Sequence, residues 1–206
     1  VLMSPRWSRC RGGLRGFTLV ELMVTITLLS ILLALAVPSF TLWINNTRVR
    51  TAAQVLQDGL RLAQAEAVRR NRTVSFFVTT EANPNESTAP AAAPTTTATN
   101  WGVRTLPLIA GEGSTFIRGG QLTGVATGVL ISTASTAVCF NAAGQQVANT
   151  PAGCTTINAA TPDARYNVAH PGGDRRLQVI ASLGGRVRMC DPAKTLSATN
   201  PDGCPP

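Results

Sequence analysis

One carboxylate stands inside an otherwise apolar stretch near the start of the chain. From Phe17 to Val37 the only charged residue is Glu21. A carboxylate at the centre of a membrane helix costs roughly 2.5–3.5 kcal/mol on insertion scales. Glu21 should therefore have a charged partner, and the chemistry that its type and position predict is ion pairing.

The rest of the sequence offers few groups for catalysis. His170, the only histidine, precedes Pro-Gly-Gly in a turn-rich stretch and has no identifiable partner. Gly184-Gly185 lacks the spacing of a phosphate-binding loop, and no paired carboxylates stand out. No C-x-x-C pair is present to hold zinc. We expect no enzyme activity, no metal, no cofactor and no small-molecule substrate.

Two arginines near the end of the chain alternate in Gly185-Arg186-Val187-Arg188. On a strand their side chains would share one face, where two guanidinium groups can contact successive phosphates of double-stranded DNA. Further basic residues could widen this patch: Arg165, Arg175, Arg176 and Lys194. The alternative is that the charges only keep an edge strand solvated and free of aggregation. Nearby carboxylates weaken the positive field: Asp174, Asp191 and Asp202.

The apolar stretch is long enough to span a membrane. Its 21 residues would form a helix of about 30 Å, the thickness of a bilayer core. Four arginines and no acidic residue lie in residues 1–16, so the N-terminus should stay in the cytoplasm while the rest is exported. Without those arginines the net charge falls from +8 to +4, and much of the basic balance is thus a topology signal.

Three interpretations of this stretch compete on its composition. It is a signal-anchor helix that tolerates Glu21, or a secretory signal peptide with a cleavage site at Ala34-Leu35-Ala36. The third interpretation starts from Arg15-Gly16-Phe17-Thr18-Leu19-Val20-Glu21-Leu22, which runs directly into the apolar helix. This sequence resembles the class III leader of type IV prepilins and type II secretion pseudopilins.

The resemblance implies that prepilin peptidase cleaves between Gly16 and Phe17 and that Phe17 is then N-methylated. The leader would be residues 1–16. The Glu21 carboxylate would pair with the Phe17 amine of its own chain or of a neighbouring subunit, because a buried charge is tolerable when paired. The expected partners are prepilin peptidase, other pilins or pseudopilins, and the inner membrane.

The exported segment contains four of the five cysteines: Cys139, Cys154, Cys190 and Cys204. An even number in an oxidising compartment predicts two disulfides. Of the three connectivities, we favour Cys139–Cys154 and Cys190–Cys204, because each pair joins near neighbours. The second pair would close a loop of about 15 residues, worth about 3 kcal/mol in the chain-entropy model.

Hydrophobic periodicity predicts one long helix from Phe17 to about Arg70. Its membrane or filament-core half is residues 17–38, and an amphipathic half follows at residues 39–72. Apolar residues recur there at helical spacing: Val49, Ala52, Ala53, Leu56, Leu60, Ala63 and Ala67. We expect Gly59 to weaken or bend the helix.

A periplasmic β-rich head should occupy residues 73–206, with a variable loop at 80–100 and a C-terminal disulfide loop. We predict strands at residues 73–79, 101–106, 114–118, 125–132, 137–140, 177–182 and 186–190. The segment from Arg61 to Val74 resembles the helix end and first strand of the FimT/GspH branch. The resemblance implies an α+β, type IV pilin-like fold, with the long helix packed on an antiparallel sheet.

Two functions follow from this resemblance. Gly-Arg-Val-Arg is similar to a segment of FimT-like minor pilins, which implies a pilus subunit that binds DNA for uptake through Arg186, Arg188, Lys194 and Arg176. The alternative is a type II secretion protein H-like pseudopilin, which primes the pseudopilus for protein secretion without binding DNA. In both cases the subunit starts in the inner membrane and moves into a filament.

Overall fold

The computed structural model describes residues 16–82, 84–85, 97–109, 111–122, 124–135, 137–149, 154 and 163–206. The predicted leader up to residue 15 lies outside these residues, as does most of the predicted variable loop. The chain forms two units, Val1–Phe40 and Thr41–Pro206.

One helix, α1, runs from Leu19 to Arg70. Thr18 caps its start, since the Thr18 Oγ1 accepts the Glu21 backbone N–H at 3.2 Å. At its end, Asn71 adopts a left-handed conformation with φ of 51°. The Arg72 N–H then reaches the Ala67 carbonyl and the Asn71 N–H reaches that of Val68, which is a Schellman stop.

The two halves of α1 differ in burial. Residues 16–37 are exposed throughout, and this half is long and apolar enough to cross a membrane. In the second half the predicted stripe is completely buried: Val49, Ala52, Ala53, Leu56, Leu60, Ala63 and Ala67. The residues that recur at helical spacing in the sequence are thus the ones that face the core.

Among the described residues, eleven strands form two sheets. The first contains β1 (Val74–Thr79), β3 (Asn100–Thr105), β4 (Phe116–Gln121), β6 (Ala137–Phe140) and β7 (Gln146–Val147) in the order β4-β3-β1-β6-β7. The second contains β2 (Thr97–Ala98), β5 (Leu130–Thr133), β8 (Ala164–Ala169), β9 (Leu177–Ala181), β10 (Val187–Thr195) and β11 (Gly203–Cys204) in the order β11-β10-β9-β8-β5-β2.

Several strand predictions need correction. The loop predicted at 80–100 ends in β2 and the start of β3. The strand predicted at 125–132 starts at Leu130, because a turn with Gly128 at φ of 82° precedes it. Strand β8 was not predicted, and Arg186 lies just before β10 instead of within it. The head is also not entirely antiparallel, since β10 and β11 pair in parallel.

Aromatic side chains fill the core between the helix and the sheets. Phe76 stacks on Trp101 with ring centroids 5.7 Å apart and meets Tyr166 edge-on at 5.8 Å. A Cβ at Gly59 would come within 3.0 Å of the Phe76 ring and 3.1 Å of Trp101. Gly59 therefore admits close packing of aromatic rings on the helix, a more specific role than the bending expected from the sequence.

Candidate functional site

The start of α1 carries the first group of candidate residues. Phe17 is 83% exposed, and Glu21 lies in the first helical turn with its side chain exposed. A carboxylate in the first turn interacts favourably with the positive end of the helix dipole. Thr18, which sequence reasoning passed over, fixes that turn, and the spacing Thr-x-x-Glu was the signal that could have revealed it.

The second group lies on one face of the second sheet. Alternate residues of β8, β9 and β10 belong to the main core with the helix: Ala164, Tyr166, Val168, Val179, Ala181, Val187 and Met189. The residues between them face the opposite side, which we call the outer face. On it, Arg165 opposes Ile180, and Ile180 opposes Arg188 on the next strand. The two arginines thus flank one buried isoleucine.

Both outer-face arginines contact the last residues of the chain. The Arg188 Nη2 donates to the carbonyl oxygens of Gly203 at 2.9 Å and Pro201 at 3.4 Å. Arg165 donates from Nη2 to the Pro206 oxygen at 2.8 Å and from Nη1 to that of Pro205 at 3.3 Å. Because the peptide carbonyl oxygens of Pro201 and Gly203 are neutral, these bonds leave the positive charge of Arg188 uncompensated.

The other predicted DNA-binding residues are not gathered beside Arg188. Lys194 forms an ion pair with Asp202, with Nζ 2.7 Å from Oδ2. This bond lowers the pKa of the Asp202 carboxyl. Arg186 and Arg176 are exposed, and the described residues supply no side-chain partner for either. They lie at opposite ends of β9, about 20 Å apart at ~3.3 Å per residue.

The charges around Arg175 and Arg176 alternate in sign. A cleft of about 470 Å³ is lined by Arg50 and Arg175 but also by Asp191 and Asp202. A neighbouring cleft combines Arg175 and Arg176 with Asp174 and Asp191. This end of the sheet is therefore not a continuous basic surface, whereas Arg165, Arg186 and Arg188 belong to the other part of the face.

The turn that presents Arg186 is fixed by backbone packing. Gly185 has φ of 84°, and a Cβ there would overlap the Gly144 carbonyl oxygen. That oxygen accepts a hydrogen bond from Gln64 Nε2 of α1 at 2.8 Å. Gly185 thus allows its own turn, the turn at Gly144 and helix α1 to meet. The pairing of β9 with β10 continues into the turn, because the Ser182 N–H donates to the Arg186 carbonyl at 3.0 Å.

Two disulfides join the pairs that the sequence favoured. Cys139–Cys154 and Cys190–Cys204 have Cα–Cα distances of 5.6 and 5.0 Å. Cys190, Cys204 and Ile180 form a small apolar cluster on the outer face. The second disulfide therefore fastens the end of the chain beside the arginine pair.

Other polar candidates have structural roles. Glu66 accepts hydrogen bonds from Arg69 at 2.6 Å and Arg70 at 2.7 Å, and these bonds lower its carboxyl pKa. Arg72 pairs with Glu112 at 2.7 Å. His170 Nδ1 accepts the Gly172 N–H at 3.0 Å within a turn. Across the described parts of the chain, no group of three potential metal ligands occurs.

An exposed apolar helix start with one carboxylate, continuous with a helix packed on β-sheets, defines a pilin-like subunit. The prokaryotic N-terminal methylation motif matches residues 14–37, which include Gly16, Phe17 and Glu21. The family model for Type II transport protein GspH matches residues 52–185, more than half of the chain. The chain belongs to this family and is a minor pilin or pseudopilin, so the predicted fold class is confirmed.

Similar solved structures include proteins of three bacteria. The type IV minor pilin FimU of Pseudomonas aeruginosa is 16% identical, with a TM-score of 0.46 over 74% of this chain and 95% of that one. The minor pseudopilin EpsH of Vibrio cholerae is 13% identical, with a TM-score of 0.43 over 71% and 99%. E. coli GspH is 12% identical, with a TM-score of 0.45 over 75% and 95%. No curated protein sequence matches significantly.

Proposed function

We propose that the chain is a non-catalytic subunit that is anchored in the inner membrane and then assembled into a type IV pilus or a type II secretion pseudopilus. The observation that carries this proposal is the exposed apolar segment at residues 16–37 with Glu21 in its first helical turn. The arginines that precede the apolar segment keep the N-terminus in the cytoplasm, and the β head is periplasmic.

Processing supplies the partner that Glu21 requires. Cleavage after Gly16 creates an ammonium at Phe17, four residues before Glu21, where the two groups can pair on one helix face. In a filament the Glu21 carboxylate instead takes the Phe17 amine of a neighbouring subunit. Desolvation makes an unpaired charge costly, so this pairing sets the register between subunits.

Glu21→Ala tests the assembly proposal in cells that make the filament. We expect the variant to remain at its normal level in the membrane and to be lost from the sheared filament fraction, as measured by quantitative immunoblotting. Glu81→Ala, which removes an exposed carboxylate of the head, is the matched control and should be incorporated normally. Normal incorporation of Glu21→Ala would refute the role of this carboxylate.

DNA binding on the outer face is a second candidate function. It is supported by Arg186, which is exposed, by Arg188, whose partners are neutral peptide carbonyl oxygens, and by Arg165, which lies on the same face across Ile180. Guanidinium groups on one face can contact phosphates without reading sequence, which predicts salt-sensitive binding. Of the residues named from the sequence, Lys194 and Arg176 contribute least, because Lys194 is paired and Arg176 lies apart.

Titration of the detergent-solubilised full chain with duplex DNA at two salt concentrations tests this candidate. We expect Arg186→Ala/Arg188→Ala to weaken binding about tenfold or more at low salt and to flatten the salt dependence. Arg61→Ala/Arg118→Ala removes two exposed arginines elsewhere and serves as the control for net charge. Equal binding by the wild type and the double variant would refute the site.

The alternative remains a secretion pseudopilin that does not bind DNA. Absence of DNA binding by the wild type at low salt, together with filament incorporation that depends on Glu21, would favour this alternative. Loss of secretion of folded proteins on deletion of the chain would then assign it to the type II secretion system.

A further inference from the structure

The last residues of the chain form a strap over the outer-face arginines. We define this strap as Asn200–Pro206. Its backbone oxygens accept four hydrogen bonds from Arg165 and Arg188 at 2.8–3.4 Å. The strap is also held by the Cys190–Cys204 disulfide and by the Lys194–Asp202 ion pair.

We propose that Arg165 and Arg188 form a binding site for the phosphate backbone of duplex DNA, and that the strap occupies this site until DNA displaces it. The proposal deepens the DNA-binding candidate and rests on it. With the strap in place, Arg186 is the arginine of this row without a partner among the described residues. Displacement adds two guanidinium groups to the same surface.

The geometry of the two arginines suits a row of phosphates. Both oppose Ile180 from the neighbouring strands, so their backbones are about 10 Å apart, or two strand spacings. Their long side chains can converge on one phosphate or diverge to two. Arg186 precedes Arg188 by two residues, and its backbone pairing with Ser182 continues the ladder, so alternation brings it to the same face.

The chemistry favours exchange of the strap for phosphate. Hydrogen bonds from a guanidinium to an ionised phosphate oxygen are roughly twice as strong as those between neutral groups, and phosphate also matches the planar fork of arginine. The peptide carbonyls of Pro201 and Gly203 satisfy the Arg188 donors without neutralising their charge. Phosphate contacts also release counterions from the DNA, which the strap cannot do.

The strap is nevertheless held firmly enough to compete with DNA for the two arginines. Asp191 N–H donates to the Asp202 carbonyl at 2.8 Å, and Leu196 N–H donates to that of Cys204 at 3.0 Å. A Cβ at Gly203 would lie 2.5 Å from the Thr195 carbonyl carbon, so only glycine allows the strap to approach β10 this closely. These contacts make the covered state the resting state.

Removal of the strap is the direct test. A full-length protein is compared with one that ends at Thr199 and carries Cys190→Ser, both in detergent. We expect the strapless protein to bind duplex DNA about tenfold more tightly, with a slope of log affinity against log salt steeper by about 1.8, for two added phosphate contacts. Arg165→Ala/Arg188→Ala in the strapless protein should cancel the gain.

Asp202→Asn in the full-length protein controls for charge, because removal of the strap also removes Asp202. It should change affinity much less than loss of the strap. If the strapless protein binds no more tightly than this control, the strap proposal is wrong while the DNA-binding candidate stands. If no variant binds DNA, the DNA-binding candidate is wrong, and this site falls with it.

Hydrogen exchange on the unmodified chain gives a second test that does not depend on a truncated protein folding. The Asp191 and Leu196 amides donate to strap carbonyls and report its position. Saturating DNA should speed their exchange several-fold, whereas the Arg188 amide, which faces β9, should not change. Unchanged exchange at Asp191 and Leu196 with DNA bound would overturn displacement.

Discussion

The two halves of helix α1 are both rich in apolar residues, yet they are used in opposite ways. In the first half every described side chain up to Val37 is exposed, whereas in the second half a stripe from Val49 to Ala67 is completely buried. The difference lies in pattern: the first half is apolar on all sides, and the second is apolar on one side. A helix that is apolar on all sides needs other molecules to cover it, whereas a helix that is apolar on one side can bury that side against its own head.

Truncation of one leucine in each half should produce the largest contrast. Leu60→Ala removes a completely buried side chain and should destabilise the head by about 2–5 kcal/mol. Leu29→Ala, at a position 56% exposed, should change the unfolding of the head by less than about 0.5 kcal/mol. Denaturant titration in detergent measures both, and equal effects would contradict the division of the helix.

Two adjacent glycines offer a sharper test of what the second half packs against. Gly185→Ala should cost about 2–3 kcal/mol, since its positive φ disfavours a side chain and the Cβ would overlap the Gly144 carbonyl. Gly184→Ala meets nothing within 4 Å and should be nearly neutral. Thermal unfolding of the two variants distinguishes them, and similar midpoints would show that the contact with Gly144 and Gln64 does not matter.

We expect the smallest effect on stability from the charged residues at the C-terminal end of α1. Hydrogen bonds from Arg69 and then Arg70 lower the Glu66 pKa, so the folded state binds its proton less readily than the unfolded state. The stabilisation is complete above the unfolded value of about 4.3 and is lost as pH falls through the lower folded value. In Glu66→Gln, the part of the stability that the wild type loses in acid should be absent at every pH.

Measurement of stability between neutral pH and the acid range checks this prediction. The difference between wild type and Glu66→Gln should be largest at neutral pH and shrink as the solution is acidified. Arg69 is largely exposed, so solvent screening keeps the effect small. A difference that grows with acidification would have the wrong sign for this pairing.

The sequence pattern predicted the buried helix stripe and the disulfide pairs well, because both depend on residues that are close together in the chain. The period of the second helix half identified all seven stripe residues, and the four cysteines are joined as near neighbours. Strand β8 was missed although Ala164, Tyr166 and Val168 alternate correctly. Its polar residues Arg165 and Asn167 made it resemble a loop, and only the packing of the core shows which face is buried.

The arginine site shows where sequence reasoning ends. The spacing of Arg186 and Arg188 suggested a shared face, but it could not reveal that Arg188 contacts Pro201 and Gly203. Nor could it place Arg165 across Ile180, because this depends on the register of three strands. Contacts between residues distant in sequence are set by the assembled sheet, and local pattern carries little information about them.

We propose that prepilin processing removes residues 1–16 and leaves the first half of α1 ready to enter a filament. Mass spectrometry of the N-terminal peptide of protein isolated from cell membranes tests it most directly. We expect a chain that begins at Phe17 and carries one added methyl group on its amine. A chain that begins at Val37, as after signal-peptide cleavage, or one that retains residues 1–16, would contradict it.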